Sequence, residues 1–450
     1  MTAQPDLGAL YASHLRTLCA RFDDALARTA HSAVLVGSGS LAPIFGDDHT
    51  YPFKADAWFR AFVPVTDVPD CLLYYAPGAP PLLLFHQPAD YWHKPARLPE
   101  GYWTEHVALR PFAEPEAARA ALPADLSHVA YLGPDAARLA AWGLGAANPP
   151  RLTAPLEYER AVKTPYEIEC LRAANRIAAR GHRAALRAFA EGGSELEIAL
   201  AYLGGCGERE QELPYNPIVA LGANGSVLHY QHLERTRPAA SRSLLIDAGA
   251  QCAGYASDVT RTHAHRAGEL AALIQRFDEM QQTLAAGVHP GVDWRDVHLT
   301  AHRLVAEFLH DAGIITCDAE QAVTSGVSSV FMPHGIGHLL GLQVHDVGGL
   351  AAGPEGGEIP RPPGHPFLRL TRVLQPGMVV TLEPGVYFID LLLDAARADA
   401  RGAHIHWGRV EELRPFGGIR IEDDLAVRTE DCENLTREAF HAMGDKPAGA

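Results

Sequence analysis

Hydrophobic positions in the first third of the chain change period repeatedly. Leu7–Arg28 carries apolar residues at helical spacing, whereas Ala33–Val36, Leu72–Tyr75 and Leu82–Phe85 are short apolar runs rich in Val, Leu, Tyr and Phe. The runs predict strands, the last two joined by the Gly/Pro turn at 77–80. Glu116–Leu122 and Asp135–Trp142 return to the helical period, with a strand predicted around His128–Leu132 between them. This alternation defines an α/β domain. The Asn- and Pro-rich stretch Ala146–Pro155 predicts a break, so domains over 1–155 and 156–450 are expected.

The remainder carries strong helix punctuation. Thr164-Pro165-Tyr166-Glu167 and Ser194-Glu195-Leu196-Glu197 both have the capping-box pattern, the first opening a helix that runs to Gly192-Gly193. Leu270–Ala286 and Asp293–Ala312 predict further helices, and Leu244–Ile246, Val379–Leu382 and Ile419–Val427 predict strands. Leu350–Pro366, full of Gly and Pro, and the polar stretch Ala395–Gly408 are expected to be long loops, serving as lids or as tolerated insertions.

Composition narrows the partners. With 450 residues, 47% hydrophobic, and a formal net charge of -16, the chain lacks the basic excess that binds nucleic acid or anionic membrane. The seven cysteines are scattered, odd in number and without a CxxC pair, which disfavours a disulfide framework or a Cys-rich zinc site. The N-terminus, MTAQPDLGALYASHLRTLCARFDDAL, is interrupted by acids and lacks the pattern of a signal peptide, so a cytoplasmic location is expected.

Six segments place acids or histidines where a strand should be apolar. They are Ser243-Leu-Leu-Ile-Asp247, Tyr255-Ala-Ser-Asp258, His334-Gly-Ile-Gly-His338, Val344-His345-Asp346, Val380-Thr-Leu-Glu383 and Gly418-Ile-Arg420-Ile-Glu422. The first two predict a hairpin carrying two Asp side chains inward, and alternation in the last puts Arg420 and Glu422 on one face. A buried carboxylate protonates, pairs with a cation or binds metal. Asp247, Asp258, Glu383 and Glu422 outnumber the nearby cations Arg261, Arg420 and Arg369, and two divalent ions would balance their four charges. Oxygen donors with one imidazole suit manganese or cobalt, and a metal pair can present hydroxide at neutral pH. Taken singly, each acid reads equally as a turn residue, a helix cap or a surface charge.

The segments LLIDAGAQCAGYASDVTRT, MPHGIGHLLGLQVHDVGG, LQPGMVVTLEPGVYF and FGGIRIEDD together resemble the pita-bread metallopeptidases, and the N-terminal stretch DDHTYPFKADAWFRAFVPV resembles their bacterial Xaa-Pro dipeptidase (prolidase) subgroup. The resemblance covers nearly the whole chain. It implies an α/β N-terminal domain plus an α+β catalytic domain with a pseudo-twofold, strongly curved antiparallel sheet. It also implies hydrolysis of Xaa-Pro dipeptides by a hydroxide held between two divalent metal ions per subunit, manganese foremost, with cobalt or zinc as alternatives. Alternative activities are organophosphorus triester hydrolysis and aminopeptidase P-like cleavage of longer Xaa-Pro peptides.

Carried over residue by residue, the resemblance makes Asp247, Asp258, His338, Glu383 and Glu422 the metal ligands. Glu383 also shuttles the proton, His229 and His345 bind the substrate and its developing oxyanion, and Arg420 tethers the ligand network. Arg369 is expected to pair with the proline carboxylate. Tyr215 and Trp294 are expected to line the substrate pocket, or else to be ordinary aromatic packing. Asp48 is expected to reach the active site of a partner subunit in a homodimer, or else to be a surface acid. His334 is expected to support the ligands, or to be a core histidine. No nucleic acid or membrane partner is expected.

Overall fold

The computed structural model describes residues 6–444. The chain divides into two units: the described chain through Glu169 together with Ala352–Gly357, and Cys170–Ala351 together with the described chain from Glu358 onward. The division falls inside the helix Pro165–Ala190.

In the first unit, Asp6 caps the helix Leu7–Ala27 by accepting from the Gly8 and Ala9 amides. Tyr11, His14, Leu15, Leu18, Phe22, Ala25 and Leu26 recur every three or four residues and form its buried stripe. A six-stranded mixed sheet runs in the order Ala108–Phe112, Leu82–His86, Leu72–Tyr75, Ala33–Gly37, Val129–Leu132, Ala146–Ala147. The central strand, Ala33–Gly37, is buried throughout and pairs antiparallel with Leu72–Tyr75 and parallel with Val129–Leu132. The expected helix over 135–142 is a 3-10 helix, Ala136–Trp142. The expected break at 146–155 is instead a two-residue strand followed by the helix Pro150–Arg160. Pro150 occupies the first turn of that helix, where a missing N–H costs nothing, so the proline there marks a helix start rather than a linker.

In the second unit the capping box at Ser194 and Glu197 is formed in both directions. Its strands are antiparallel and arranged in short sheets. Thr260–Ala264, Ser243–Asp247 and Ile218–Leu221 make one, and Val379–Leu382, Asp423–Val427 and Cys432–Asn434 make another. A bridge between Thr260 and Glu422 joins them, and Gly385–Tyr387 pairs with Gly418–Arg420 beside the junction. The strand expected over 419–427 is thus interrupted at Ile421-Glu422. The anticipated hairpin holds Asp247 in register with Thr260, while Asp258 lies two residues before the return strand.

The segment 395–408, expected to be a loop, is largely helical: it is covered by Asp390–Arg397, the 3-10 turn Ala400–His404 and the start of Trp407–Leu413. The two helices bury two side chains each and the 3-10 turn none, too short a stripe to stand out in the sequence. By contrast, residues 350–366 hold no helix or strand, only an isolated bridge between Ala351 and Glu358.

Behind the sheets a buried ion-pair network fastens the last helix, Leu435–Ala442. The Arg437 guanidinium contacts Asp423 and Asp278, each at 2.6 Å, and Arg261 reaches Asp423 at 2.7 Å. These cations hold the Asp423 carboxyl far below its usual range despite complete burial. Arg437→Met would leave two buried acids short of a cation, and is expected to cost about 3 kcal/mol of unfolding free energy in urea. A change under about 0.5 kcal/mol, the range of a neutral surface substitution, would mean the network contributes nothing.

Candidate active site

The interrupted junction of the two sheets is where the acids meet. Asp247 ends one strand, and Glu422 sits across the bridge from Thr260, whose hydroxyl donates to the Glu422 carboxylate at 2.7 Å. Asp258 is fixed from behind, because its backbone N–H donates to Asp424 at 3.1 Å and Asn175 holds the same Asp424 oxygen at 2.8 Å. Glu383 follows the strand Val379–Leu382, its N–H bonded to the Ile336 carbonyl. Glu422, Asp423 and Asp424, which could have been a surface charge run, are all buried.

His338 is placed by a close backbone approach. A Cβ at Gly337 would lie 2.0 Å from the Thr381 carbonyl oxygen, so only glycine lets the loop lie against the strand there. His338 N–H bonds the Thr381 hydroxyl, and its Nδ1 donates to the Leu339 carbonyl at 3.0 Å. That tautomer turns the Nε2 lone pair toward the acids, 3.5 Å from Asp258 and 3.8 Å from Glu383. Donor atoms of Asp258, His338 and Glu422 lie within 4.8 Å of one another.

A cavity of about 390 Å³ opens onto this cluster, lined among others by Asp247, Asp258, His338, Glu383, Glu422, Arg420, His229, His334, His345 and Arg369. Its volume lies in the range for small-ligand sites. Arg420 is buried and three-armed, donating to Asp247 at 2.6 Å, the Thr260 hydroxyl at 3.0 Å and the Tyr387 hydroxyl at 2.9 Å. Tyr387 in turn meets His334 Nε2 at 2.9 Å, and His334 Nδ1 meets the Gly335 carbonyl at 2.8 Å. Burial and the nearby Arg420 hold His334 down to a pKa of about 4, so it is neutral and serves as a spacer in this chain. His345 packs 4.4 Å from the His338 ring, and its surroundings and that neighbour hold it down to about 4 as well. The guanidinium of Arg369, an exposed residue at the cavity, makes no hydrogen bond or ion pair among the described residues.

The aromatic residues expected at the pocket wall diverge. Tyr215 does reach the site, but as a donor to the acids: its hydroxyl lies 2.7 Å from both Asp247 and Asp258. Trp294 is instead fully buried at the start of the helix Trp294–Asp311 and is absent from the cavity wall. Its place at the first helical turn, with its backbone N–H bonded to Arg372, directs the ring into the core. Asp48 belongs to the first unit and sits in an exposed acidic turn with Asp47 and His49.

Several supporting groups were not singled out from the sequence. Thr260, Tyr387 and Asp424 hold Glu422, Arg420 and Asp258 respectively, and Arg361 and Phe367 line the cavity. The signal for Thr260 was its place two residues beyond Asp258, on the same face of an extended segment. Tyr387 and Arg361 carried no such signal.

The electrostatics of the cluster are out of balance. Burial, followed by the neighbouring acids, raises the Glu422 carboxyl well above its ordinary value, and burial pushes Glu383 up to about 7. Asp247 is raised by burial even though Arg420 pulls the other way. Asp258 alone is lowered: His338 outweighs its burial, and correspondingly the acids outweigh burial in raising His338. One tyrosine proton cannot serve Asp247 and Asp258 at once. Four acids facing one buried arginine either hold protons at neutral pH or gain cations. Oxygen donors with a single correctly turned imidazole fit hard-to-borderline divalent ions, so the donor set suits a metal centre.

Comparison with known proteins agrees with this. The model of metallopeptidase family M24 matches residues 169–429, and the chain belongs to that family. The family implies divalent metal ions, and the likeness to solved structures carries the pita-bread fold. The model of the Xaa-Pro dipeptidase N-terminal domain matches residues 9–158. The Xaa-Pro dipeptidase of Xanthomonas campestris pv. campestris (strain 8004) is 49% identical over 98% of this chain and 99% of its own. That of Stenotrophomonas maltophilia (strain K279a) is 48% identical over 98% and 99%. Among solved structures, zinc-substituted Escherichia coli aminopeptidase P in complex with product aligns with TM-score 0.72 at 23% identity, over 96% of each chain. Proline aminopeptidase P II from Yersinia pestis aligns with TM-score 0.70 at 23% identity, over 96% of this chain and 97% of that one.

Proposed function

We propose that the protein is a metallodipeptidase that hydrolyses the bond to the C-terminal proline of Xaa-Pro dipeptides. One observation carries the reading: a single dipeptide-sized cavity holds both the four acids with His338 and the open guanidinium of Arg369. The near full-length likeness to Xaa-Pro dipeptidases supports it.

In this reading Asp247, Asp258, His338, Glu383 and Glu422 hold two divalent ions, for which we favour manganese because the donors are mostly oxygen. Such ions bring a water molecule into the pKa range of neutral pH and polarise a carbonyl. Glu383, at the cavity 3.8 Å from His338, takes a proton from the attacking water and delivers it to the departing proline nitrogen. His229 and His345, both at the cavity, donate hydrogen bonds to the substrate and to the oxygen that gains charge. Arg420 holds Asp247 in place. Arg369 grips the proline carboxylate, and a peptide extended beyond proline would have no carboxylate at that position. We further propose a cytoplasmic homodimer, with Asp48 reaching a partner subunit's site.

The reading is tested with manganese-supplemented protein and a panel of Xaa-Pro dipeptides, an Xaa-Pro tripeptide and a phosphotriester. Fastest turnover of the dipeptides supports it, and a preference for the tripeptide or the triester rejects it. Arg369→Ala is expected to raise KM for dipeptides by about 10–100-fold with a smaller loss of kcat, the effect of removing a charge-assisted bond worth about 1.5–3 kcal/mol in the ground state. An unchanged KM removes Arg369 from carboxylate binding.

A further inference from the structure

We propose that His298, His302 and His365 form a separate metal site that takes one nitrogen-preferring divalent cation, zinc foremost. The spacing of His298 and His302, four residues apart on the helix Trp294–Asp311, puts both on one face, and His365 comes from the Gly/Pro-rich loop. One ring nitrogen of each lies within 4.8 Å of the other two. The rings pack mutually, with centroids 4.7, 4.6 and 4.5 Å apart.

Two features distinguish this cluster from a satisfied histidine core. His302 is 1% exposed, yet its Nε2 has no hydrogen-bond partner among the described residues. Buried polar atoms normally have one. Moreover, His302 Nδ1 is 3.0 Å from the Ser328 hydroxyl. With Nδ1–H donating to that oxygen, the Nε2 lone pair is left bare, as an outer partner does for a metal-binding histidine.

The remaining contact is a 2.9 Å hydrogen bond between His298 Nε2 and His365 Nδ1. Two nitrogens bound to one tetrahedral zinc at about 2.0–2.1 Å are roughly 3.3–3.4 Å apart. Opening this pair by about half an ångström therefore exchanges one hydrogen bond for two metal bonds.

The donors also set the ion. Three imidazoles without a carboxylate favour zinc, copper or nickel over manganese, the reverse of the acid cluster. Three protein ligands leave a fourth position open. His365 immediately precedes Pro366 and Phe367 and lies four residues before Arg369, all lining the catalytic cavity. A bound ion would tie that cavity-lining loop to the helix.

The test uses full-length protein loaded with manganese and then equilibrated with one equivalent of zinc. Anomalous diffraction at the zinc edge is expected to place zinc between the three imidazoles, and His302→Ala is expected to lose that one equivalent. His365→Ala, on the half-buried loop position, provides the same comparison should His302→Ala fail to fold. Zinc found only among the five acid-cluster donors, or equal zinc content in wild type and both variants, would overturn the assignment.

Discussion

Replacing His338 by alanine is expected to lower kcat/KM for an Xaa-Pro dipeptide by about 10³-fold or more, beyond the roughly 10–100-fold typical of losing an outer-shell partner. The size follows from position. His338 supplies the only nitrogen among the five proposed donors, and its Nε2 lies 3.5 Å from Asp258 and 3.8 Å from Glu383. Its removal takes away the one imidazole ligand from a set otherwise made of carboxylates. Metal content measured on the purified variant should fall with activity. Full turnover with wild-type metal content would refute the ligand assignment.

Removing metal with a chelator should lower the melting temperature, and the gap between manganese-loaded and chelated protein should widen as pH rises from about 5 to about 8. In the metal-free fold, Glu383 titrates near 7, and Glu422, Asp247 and His338 are also raised. For these groups the folded state binds protons that the unfolded chain has released, or holds them to higher pH. Their contribution to folding is therefore lost as pH climbs through the folded values. Cations must displace the same protons, so they bind more tightly as pH rises. The gap matters more than either curve alone. His182, His263, His298 and His302 have lowered pKa values and make folding more favourable as pH rises toward about 6.5, with or without metal at the acid cluster. A gap that stays constant or narrows over this range would contradict buried, proton-competing carboxylates.

Much of this was legible in the sequence because local rules and tertiary structure agree. The capping boxes at Thr164 and Ser194 open helices where expected, since their hydrogen bonds close within four residues. The acids stood out because apolar strands do not tolerate unpaired charge, and the fold brings Asp247, Asp258, His338, Glu383 and Glu422 to one cavity. Where burial is decided by distant packing, the sequence was silent. Trp294 read equally as a pocket residue or as aromatic packing and is core, and Tyr215 is a hydrogen-bond donor to two of the acids. Ala395–Gly408 looked like a loop because the helices that cover it are a turn or two long and bury few side chains. Tyr387, which joins Arg420 to His334, carries no pattern of its own, and neither does the meeting of His365 with a helix far along the chain.

Metal titration tests most directly whether the acid cluster takes two cations. Chelated protein is titrated with manganese while bound metal and Xaa-Pro dipeptide turnover are followed together. Activity and binding that saturate at two equivalents per chain, with protons released as the ions enter, are the expected result. Saturation at one equivalent, or full turnover before any metal binds, would contradict it.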